Sequence, residues 1–177
     1  MIILALVIIL LLWGVSAYNR LVRGRTEVEE AFSTMDVFLK KRFDQIPNIV
    51  ATVKGYAHHE AETLEAIVRM RNQATTIDEK IEADTQLTAA VRGLMVQVES
   101  YPELKASTNF LDLQHQLAAV EEDIAKSRRY YNGCVKEYNN LVLTVPTNII
   151  AGIFNFTKMK MYEVSDASER RNVEVSL

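Results

Sequence analysis

The stretch FLDLQHQLAAVEEDIAKSRRYYNGCVKEYNNLVLTV, residues 110–145, has a repeating pattern of apolar and small side chains. Successive members of the pattern lie three or four positions apart. They are Phe110, Leu113, Leu117, Val120, Ile124, Ser127, Tyr131, Cys134, Tyr138, Leu141 and Val145. Alternating steps of three and four place side chains on one helix face and are typical of left-handed packing between helices. The stretch therefore predicts a long helix that packs against other helices along one seam.

The same spacing begins again near the N-terminus, directly after an apolar run. The positions that follow it are Tyr18, Leu21, Arg25, Val28, Phe32, Met35, Leu39, Arg42 and Ile46. This second seam predicts another long helix, able to pack against the one over residues 110–145.

A third helix is predicted between these two. Thr76 and Glu79 form the S/T-x-x-E pattern of a capping box, which marks a helix start. The apolar positions of this helix are Ile81, Val91, Leu94 and Val98. Tyr101-Pro102 ends it, because proline cannot continue the backbone hydrogen bonds of a helix.

Pro47 leaves two arrangements open. The apolar spacing continues past it to Val50 and Val53, as in one long kinked helix within a three-helix arrangement. If the chain instead turns at Pro47, segments 27–45, 48–73, 76–100 and a fourth from Ser107 have similar lengths. Matched segments joined by short loops suit an antiparallel up-and-down four-helix bundle. The four-helix arrangement is the preferred prediction.

Composition restricts the classes of function. The chain has 177 residues, enough for one domain and an anchor, and a formal net charge of −3. Nucleic-acid-binding domains are usually basic, so no nucleic-acid partner is expected. Cys134 is the single cysteine, which excludes an internal disulfide and a multi-cysteine metal site.

The first 18 residues, MIILALVIILLLWGVSAY, contain no charged side chain. As a helix they span roughly 27 Å, close to the thickness of a bilayer core. A cleaved signal peptide is the alternative, but no basic residue precedes the run. Arg20, Arg23 and Arg25 follow it, so the positive-inside rule places the N-terminus outside and the rest in the cytoplasm.

A tyrosine followed by asparagine occurs where the apolar run ends and twice in the last long helix. The pairs are Tyr18-Asn19, Tyr131-Asn132 and Tyr138-Asn139. If the last helix returns to the membrane, the three tyrosines are expected to form one membrane-proximal layer. Each buried hydroxyl then needs a hydrogen-bond partner, which the neighbouring asparagine or the backbone can supply.

The chain divides into four predicted parts. Residues 1–18 form the anchor, 19–145 the bundle, 146–164 an apolar membrane-proximal segment, and 165–177 a polar tail. The residues expected at the membrane interface are Trp13, Ile149, Ile150, Ile153, Phe154 and Phe156. The flanking Lys158 and Lys160 favour a segment that lies on the membrane, with Tyr162 acting there too. Packing of the segment against the bundle is the alternative.

Four charged residues fall on apolar positions or on their continuation: Arg25, Arg42, Glu60 and Arg71. The preferred interpretation is that they lie at bundle edges with their charged groups in water. Buried ion pairs that fix the packing register are the alternative.

A possible metal site involves His58, His59, Glu60, Asp112 and His115. The paired Glu-x-x-His pattern of di-iron bundles is absent, and so is His-Glu-x-x-His. Hence no metal or cofactor is expected. Cys134, on the seam, is interpreted as a small packing residue.

Several stretches resemble the LemA family of bacterial membrane-anchored proteins. They are YNRLV (18–22), KKRFDQIPNIVATVKGYAHHE (40–60), SYPELKA (100–106) and RRYYNGCVKEYNNLV (128–142) with Pro146 after it. The resemblance implies an all-α, bromodomain-like four-helix bundle and no established enzymatic activity. The residues that it marks as structural motif residues are Arg42, Pro47, Glu60, Arg71, Tyr101, Pro102 and the Tyr-Asn pairs. Some relatives carry a lipobox cysteine, and its absence here argues against a periplasmic lipoprotein.

The predicted function is that of a single-pass scaffold or adaptor in the bacterial inner membrane, without catalytic activity. Its bundle would present helix faces to cytosolic protein partners. The resemblance implies an association with membrane zinc metallopeptidases, and self-association into an oligomer is a further option. The alternative is a metal-binding or enzymatic bundle that uses His58, His59, Glu60 and His115.

Overall fold

The computed structural model describes residues 1–54 and 58–162, except for the side chains of residues 58–60. Within these residues the chain forms helices and no strand, which confirms the all-α prediction. The helices are α1 (Ile2–Val53), α2 (His58–Gln73), α3 (Ile77–Val98), α4 (Pro102–Lys105), α5 (Thr108–Leu143) and α6 (Thr147–Ile153). The predicted polar tail, 165–177, lies outside the described residues.

Helix α1 continues through Pro47, so the predicted turn at this residue is wrong. Proline removes one backbone hydrogen bond and costs about 3 kcal/mol in a helix interior. Ile46, Ile49 and Val53 are nevertheless buried, and each such side chain contributes about 1.5–3 kcal/mol by leaving water. Burial on both sides of Pro47 outweighs its cost, and the break between helices falls after Val53 instead.

The residues group into two compact units. Unit 1 consists of Met1–Val37 and Asp123–Met161. Unit 2 consists of Phe38–Glu122 and Tyr162, the last residue described. Each unit therefore takes part of α1 and part of α5.

Unit 1 is built on an antiparallel pair of helices. The ring of Phe32 on α1 meets the ring of Tyr131 on α5 edge-on, with centroids 5.8 Å apart. Gly24, eight residues before Phe32 on α1, contacts Tyr138 and Leu141, which follow Tyr131 on α5. The two helices therefore run antiparallel. A Cβ atom at Gly24 would lie 3.3 Å from Leu141 Cδ1. The absence of a side chain at this glycine thus permits the close approach of α5.

Unit 2 has an apolar core to which α1, α2, α3, α4 and α5 all contribute. The fully buried members include Ile46, Val53, Leu64, Leu87 and Leu94. Helical segments from α1, α2, α3 and α5 supply most of this core, while their up-and-down antiparallel order remains a prediction.

The local signals in unit 2 are confirmed. Thr76 and Glu79 form the capping box at the start of α3, with both reciprocal hydrogen bonds present. Helix α3 ends at Val98, and Pro102 opens the short α4 after Tyr101.

The predicted seams hold over most of their length, with local shifts. On α5 the buried positions include Phe110, Leu113, Leu117, Val120, Ile124, Ser127, Tyr131 and Tyr138. Val135 is buried in preference to Cys134, and Val145 is exposed after α5 has ended. On α1, Gly24 takes the seam position predicted for Arg25. The period of 3.6 residues per turn accounts for such one-residue shifts in a long helix.

Candidate functional site

The first part of α1 is apolar and almost entirely unburied. Its most apolar 18-residue window has a mean hydropathy of 2.3, and only 6% of that window is buried. A helix of this composition is long enough to cross a bilayer. Its exposed apolar side chains have no protein partner among the described residues that would explain them as core.

Helix α6 packs against this part of α1 within unit 1. Phe154, directly after α6, has its ring 4.8 Å from the ring of Tyr18, and Phe156 lies 5.7 Å from the same ring. Ile150 Cδ1 would be 3.9 Å from a Cβ atom at Gly14. The chain thus returns to the level at which the apolar run ends.

Among the predicted interface residues, Trp13 is 36% exposed, and the five that follow α5 divide into two groups. Ile149, Ile153 and Phe154 remain exposed, at 57%, 65% and 55%. Ile150 and Phe156 are half-buried. Thr147 and Ala151, on the other face of α6, are buried in unit 1. The exposed apolar residues therefore lie on a single face of this helix.

A crevice of about 450 Å³ lies between α1 and the α6 region. Its lining is almost entirely apolar. The lining residues are Leu10, Leu11, Trp13, Gly14, Val15, Tyr18, Ile150 and Phe154.

Basic side chains follow both apolar parts of this region, the N-terminal run of α1 and the α6 region. Arg20, Arg23, Lys158 and Lys160 are exposed, whereas residues 1–26 and 138–162 contain no Asp or Glu. Arg25 is also exposed and pairs with Glu29 at 3.0 Å. The preferred interpretation of Arg25, a charged group in water, is therefore confirmed.

The Tyr-Asn residues of α5 hold an extended stretch of chain that follows α6. Tyr138 Oη donates to the carbonyl of Thr157 at 3.0 Å, and Tyr131 Oη donates to that of Lys160 at 2.8 Å. Asn139 donates to the Met159 carbonyl and accepts from the Met159 N–H, both at 2.9 Å. These contacts satisfy backbone groups that have no helix or sheet partner.

This arrangement, which we call the Tyr-Asn clamp (Tyr131, Tyr138 and Asn139), depends on protonated tyrosine hydroxyls. Burial raises the pKa of the Tyr138 hydroxyl, with the charge of Arg25 acting in the opposite direction. The phenol therefore stays a hydrogen-bond donor at neutral pH.

The prediction of one tyrosine layer is wrong. Tyr131 and Tyr138 lie seven residues apart on one helix, about 10 Å along its axis. Tyr131 contacts Phe32, whereas Tyr18 contacts Phe154 and Phe156. The tyrosines occupy successive levels because a heptad step aligns side chains on one face without bringing them to the same height. Asn19 is exposed and Asn132 half-buried.

Unit 2 contains a buried ionic cluster centred on Arg42. Arg42 is 2% exposed, and its Nη1 donates to Asp84 Oδ1 at 3.0 Å and to Thr88 Oγ1 at 3.0 Å. Its Nη2 lies 2.7 Å from Glu121 Oε1. The expectation that Arg42 keeps its charged group in water is wrong, because Asp84, fully buried, supplies the compensating charge.

Tyr162 completes this cluster by donating its hydroxyl to the second oxygen of Asp84. It is buried, so its predicted role on the membrane is wrong. Because Asp84 is buried in unit 2, the hydrogen bond to it requires that the Tyr162 ring also lies in the protein interior. The segment after α6 therefore has an exposed apolar part and a buried end.

The other predicted polar residues have separate surroundings. Arg71 is half-buried, with its guanidinium 5.7 Å from the centre of the Phe43 ring. Asp112 and His115 are exposed on α5. In the part of the chain that the structure describes, no three His, Cys, Asp or Glu residues form a group suited to a metal. The side chains of His58, His59 and Glu60 lie outside it.

Cys134 is half-buried beside Tyr130. Desolvation raises the pKa of its thiol, the direction opposite to that of a reactive thiolate.

Asp84 is the fully buried site residue that the sequence interpretation missed, together with Thr88 and Glu121 of the same cluster. It occupies the apolar spacing of α3 between Ile81 and Leu87, all three of them buried. A carboxylate at a core position of one helix and an arginine at a core position of another are a signal for a buried pair. That signal is visible in the sequence once both helices are expected to share a core.

The fold and these sites define an all-α protein with a candidate membrane-spanning helix at its N-terminus. The LemA family model matches residues 31–177, and the chain belongs to this family. Protein LemA of Metamycoplasma hominis is 28% identical over 162 residues, which cover 89% of this chain and 74% of that protein. The magnetosome proteins MamQ 1 and MamQ 2 of Paramagnetospirillum magneticum are 28% identical over 87 residues, 49% of this chain and 32% of each relative.

Proposed function

We propose that this protein is a single-pass scaffold of the bacterial inner membrane that presents a helical bundle to cytosolic protein partners and has no catalytic activity. The observation that carries the proposal is the shared location of two exposed apolar surfaces in unit 1. The N-terminal part of α1 and the outer face of α6 are both apolar, exposed and in mutual contact through Tyr18 and Phe154. A membrane accounts for both.

The charge distribution supports the orientation. Arg20, Arg23 and Arg25 follow the apolar run and no basic side chain precedes it. Basic residues adjoining a span favour the cytoplasmic side. Lys158 and Lys160, both exposed, follow the α6 region and add further basic charge after an apolar stretch.

Two observations support a role in presenting the bundle to partners. The first is that the buried polar groups of both units bind other groups of the same protein. The Tyr-Asn clamp provides hydrogen-bond partners for backbone atoms, and the Arg42 cluster pairs both terminal nitrogens of a buried guanidinium, whose Nε has no hydrogen-bond partner among the described residues. Both therefore act on the protein's own structure. Unit 2 also carries a shallow groove of about 470 Å³ between α2 and α3, lined by residues that include Ala66, Met70 and Ala90. Such a groove suits the side chains of a partner helix.

Topology is tested with two reporters fused after Leu177 in the full chain. A reporter that is active only in the cytosol should work, and one that is active only in the periplasm should not. The variant with Arg20→Glu and Arg23→Glu is the matched control, because it removes two of the three arginines that follow the span and keeps the apolar run. Activity from the periplasmic reporter alone in the wild type would contradict the orientation.

Integration into the membrane is tested by alkaline extraction of membranes that contain the full chain. The wild type should remain in the pellet, whereas Leu10→Glu places a charge in the span and should release part of the protein. Equal release of both proteins would contradict the anchor.

Partner presentation is tested with a photo-reactive amino acid at Met70 in the groove, crosslinked in native membranes. An exposed position on another helix, Lys136, serves as the control site. One defined protein adduct at Met70 and none at Lys136 supports the proposal. Equivalent background at both sites would contradict a role for this groove.

A further inference from the structure

The crevice between α1 and α6 is apolar, open and located on the anchor itself. It measures about 450 Å³, and its walls are side chains such as Leu11, Val15, Ile150 and Phe154. Gly14 is also a lining residue. Because the adjoining side chains of α1 belong to the proposed span, the crevice faces the bilayer, and a chain-like hydrocarbon group is the occupant that its lining accepts.

The charge next to the crevice indicates the class of lipid. Tyr18 and Phe154 are among its lining residues, and the basic side chains Arg20, Arg23 and Lys158 follow these two residues within five positions in the sequence. Residues 1–26 and 138–162 contain no Asp or Glu, and the nearest acidic residues in the sequence are Glu27, Glu137 and Glu163. Basic side chains beside a membrane surface attract anionic headgroups.

We propose that this crevice is a specific lipid site that holds one acyl chain of an anionic glycerophospholipid, with the headgroup against the basic residues that follow the span. The proposal rests on the proposed function, since it requires α1 in a bilayer. Through this site, α6 would be held on the anchor by lipid as well as by the contact with Tyr18.

Trp13 provides a direct probe, because it is the one tryptophan of the chain and lines the crevice. The full chain is placed in vesicles of unlabelled phosphatidylcholine that contain a minor fraction of lipid brominated on its acyl chains. The brominated lipid is either phosphatidylglycerol or phosphatidylcholine. Bromine quenches tryptophan fluorescence on contact, so quenching above the mole fraction of brominated lipid measures preferential binding.

Brominated phosphatidylglycerol is expected to quench Trp13 beyond its mole fraction, and brominated phosphatidylcholine only in proportion to it. Lys158→Gln should lower the preference for the anionic lipid by about fivefold, as expected for one basic side chain at an anionic surface. Arg92→Gln, which removes the same charge from unit 2, should leave the preference unchanged.

Gly14→Leu should fill the crevice and reduce quenching by the anionic lipid to its mole fraction. Ser16→Leu adds a similar volume to an exposed position of α1 outside the crevice and should keep the excess quenching. Ile150→Phe fills the crevice from the opposite wall and provides a second test if Gly14→Leu prevents folding, as judged from far-UV circular dichroism.

The outcomes separate this proposal from the proposed function. Quenching in proportion to mole fraction with both lipids would overturn the lipid site and leave the anchor intact. Excess quenching that survives Gly14→Leu and Ile150→Phe would place the lipid elsewhere and overturn the site too. An unquenched Trp13 in protein that resists alkaline extraction would mean that protein, such as a second copy, covers the crevice. An unquenched Trp13 in protein that is extracted would contradict the proposed function itself.

Discussion

Replacing Asp84 by alanine is expected to cost a large share of the stability of unit 2. Asp84 is 0% exposed and pairs with Arg42, which is 2% exposed. Removing one partner of a buried ion pair typically costs about 3–5 kcal/mol, because the remaining charge is left uncompensated. Glu121 still holds Arg42 Nη2, which favours the lower end, while Tyr162 loses the acceptor of its hydroxyl. We therefore expect about 4 kcal/mol, against a typical total of 5–15 kcal/mol.

The assay is chemical denaturation of the full chain in detergent micelles, followed by the far-UV circular dichroism of its helices. Asp84→Ala should lower the free energy of unfolding strongly. Asp84→Leu combined with Arg42→Met should recover most of the loss, since apolar replacement of a buried pair is often neutral or stabilising. Glu82→Ala, an exposed acidic residue on the same helix, is the control and should change stability by less than about 0.5 kcal/mol.

Two results would refute this reasoning. One is a loss below about 1 kcal/mol for Asp84→Ala, the size expected of an exposed pair. The other is additivity, in which the double variant loses as much stability as Asp84→Leu and Arg42→Met lose separately when their two losses are added. Additivity would mean that the two charges do not compensate each other in the folded protein.

Three further predictions concern other parts of the chain. Tyr138→Phe should cost about 1 kcal/mol and make the stretch after α6 more sensitive to limited proteolysis; an unchanged cleavage rate would argue against the clamp. Gly24→Val should cost about 1–3 kcal/mol by forcing α5 away, whereas Gly133→Val, where a Cβ atom would meet open space, should not show this crowding in thermal unfolding. Hydrogen bonds from the backbone of Thr76 lower the pKa of Glu79 below 4.5, so its stabilising effect is present above that pH and lost as the pH falls through the lowered pKa. Glu79→Gln should therefore lower the melting temperature at neutral pH and have little effect in strong acid; equal shifts at both would contradict it.

The seams and helix starts could be predicted because they depend on local sequence. The spacing of Phe110, Leu117, Ile124 and Tyr131 follows one helix face, and all four are buried. The capping box at Thr76 requires only four residues to form. Both features depend on residues within one or two helical turns of each other, so they can be recognised in a single sequence.

Pro47 shows where local signals are insufficient. Proline predicts a helix end, and the similar lengths of the four predicted helical segments favoured a turn at this residue. The apolar residues on both sides are buried in one core, and that gain depends on α2, α3 and α5, which lie far away in sequence. Tertiary burial decided the outcome, and propensity at one position could not show it.

The partner of Arg42 was unpredictable for a similar reason. The sequence places Arg42 on a seam, which permits both an edge position and a buried pair. The choice depends on whether another helix brings a carboxylate to the same level, and that is a question of register between α1 and α3. Tyr162 adds a further contribution from the segment after α6, where its apolar neighbours suggested contact with a membrane.

The stretch after α5 shows that apolar composition alone does not separate a surface for lipid from one for protein; the backbone does. Helix α6 satisfies most of its own N–H and C=O groups, so its outer face can lie against hydrocarbon. The extended stretch from Thr157 to Lys160 cannot, because its carbonyls would lose their partners in a bilayer core, where each unsatisfied group costs several kcal/mol. Tyr131, Tyr138 and Asn139 supply those partners on the protein instead. The Tyr-Asn repeat of α5 therefore sets the position at which the chain changes from α6, a helix with an exposed apolar face, to a protein-bound extended segment.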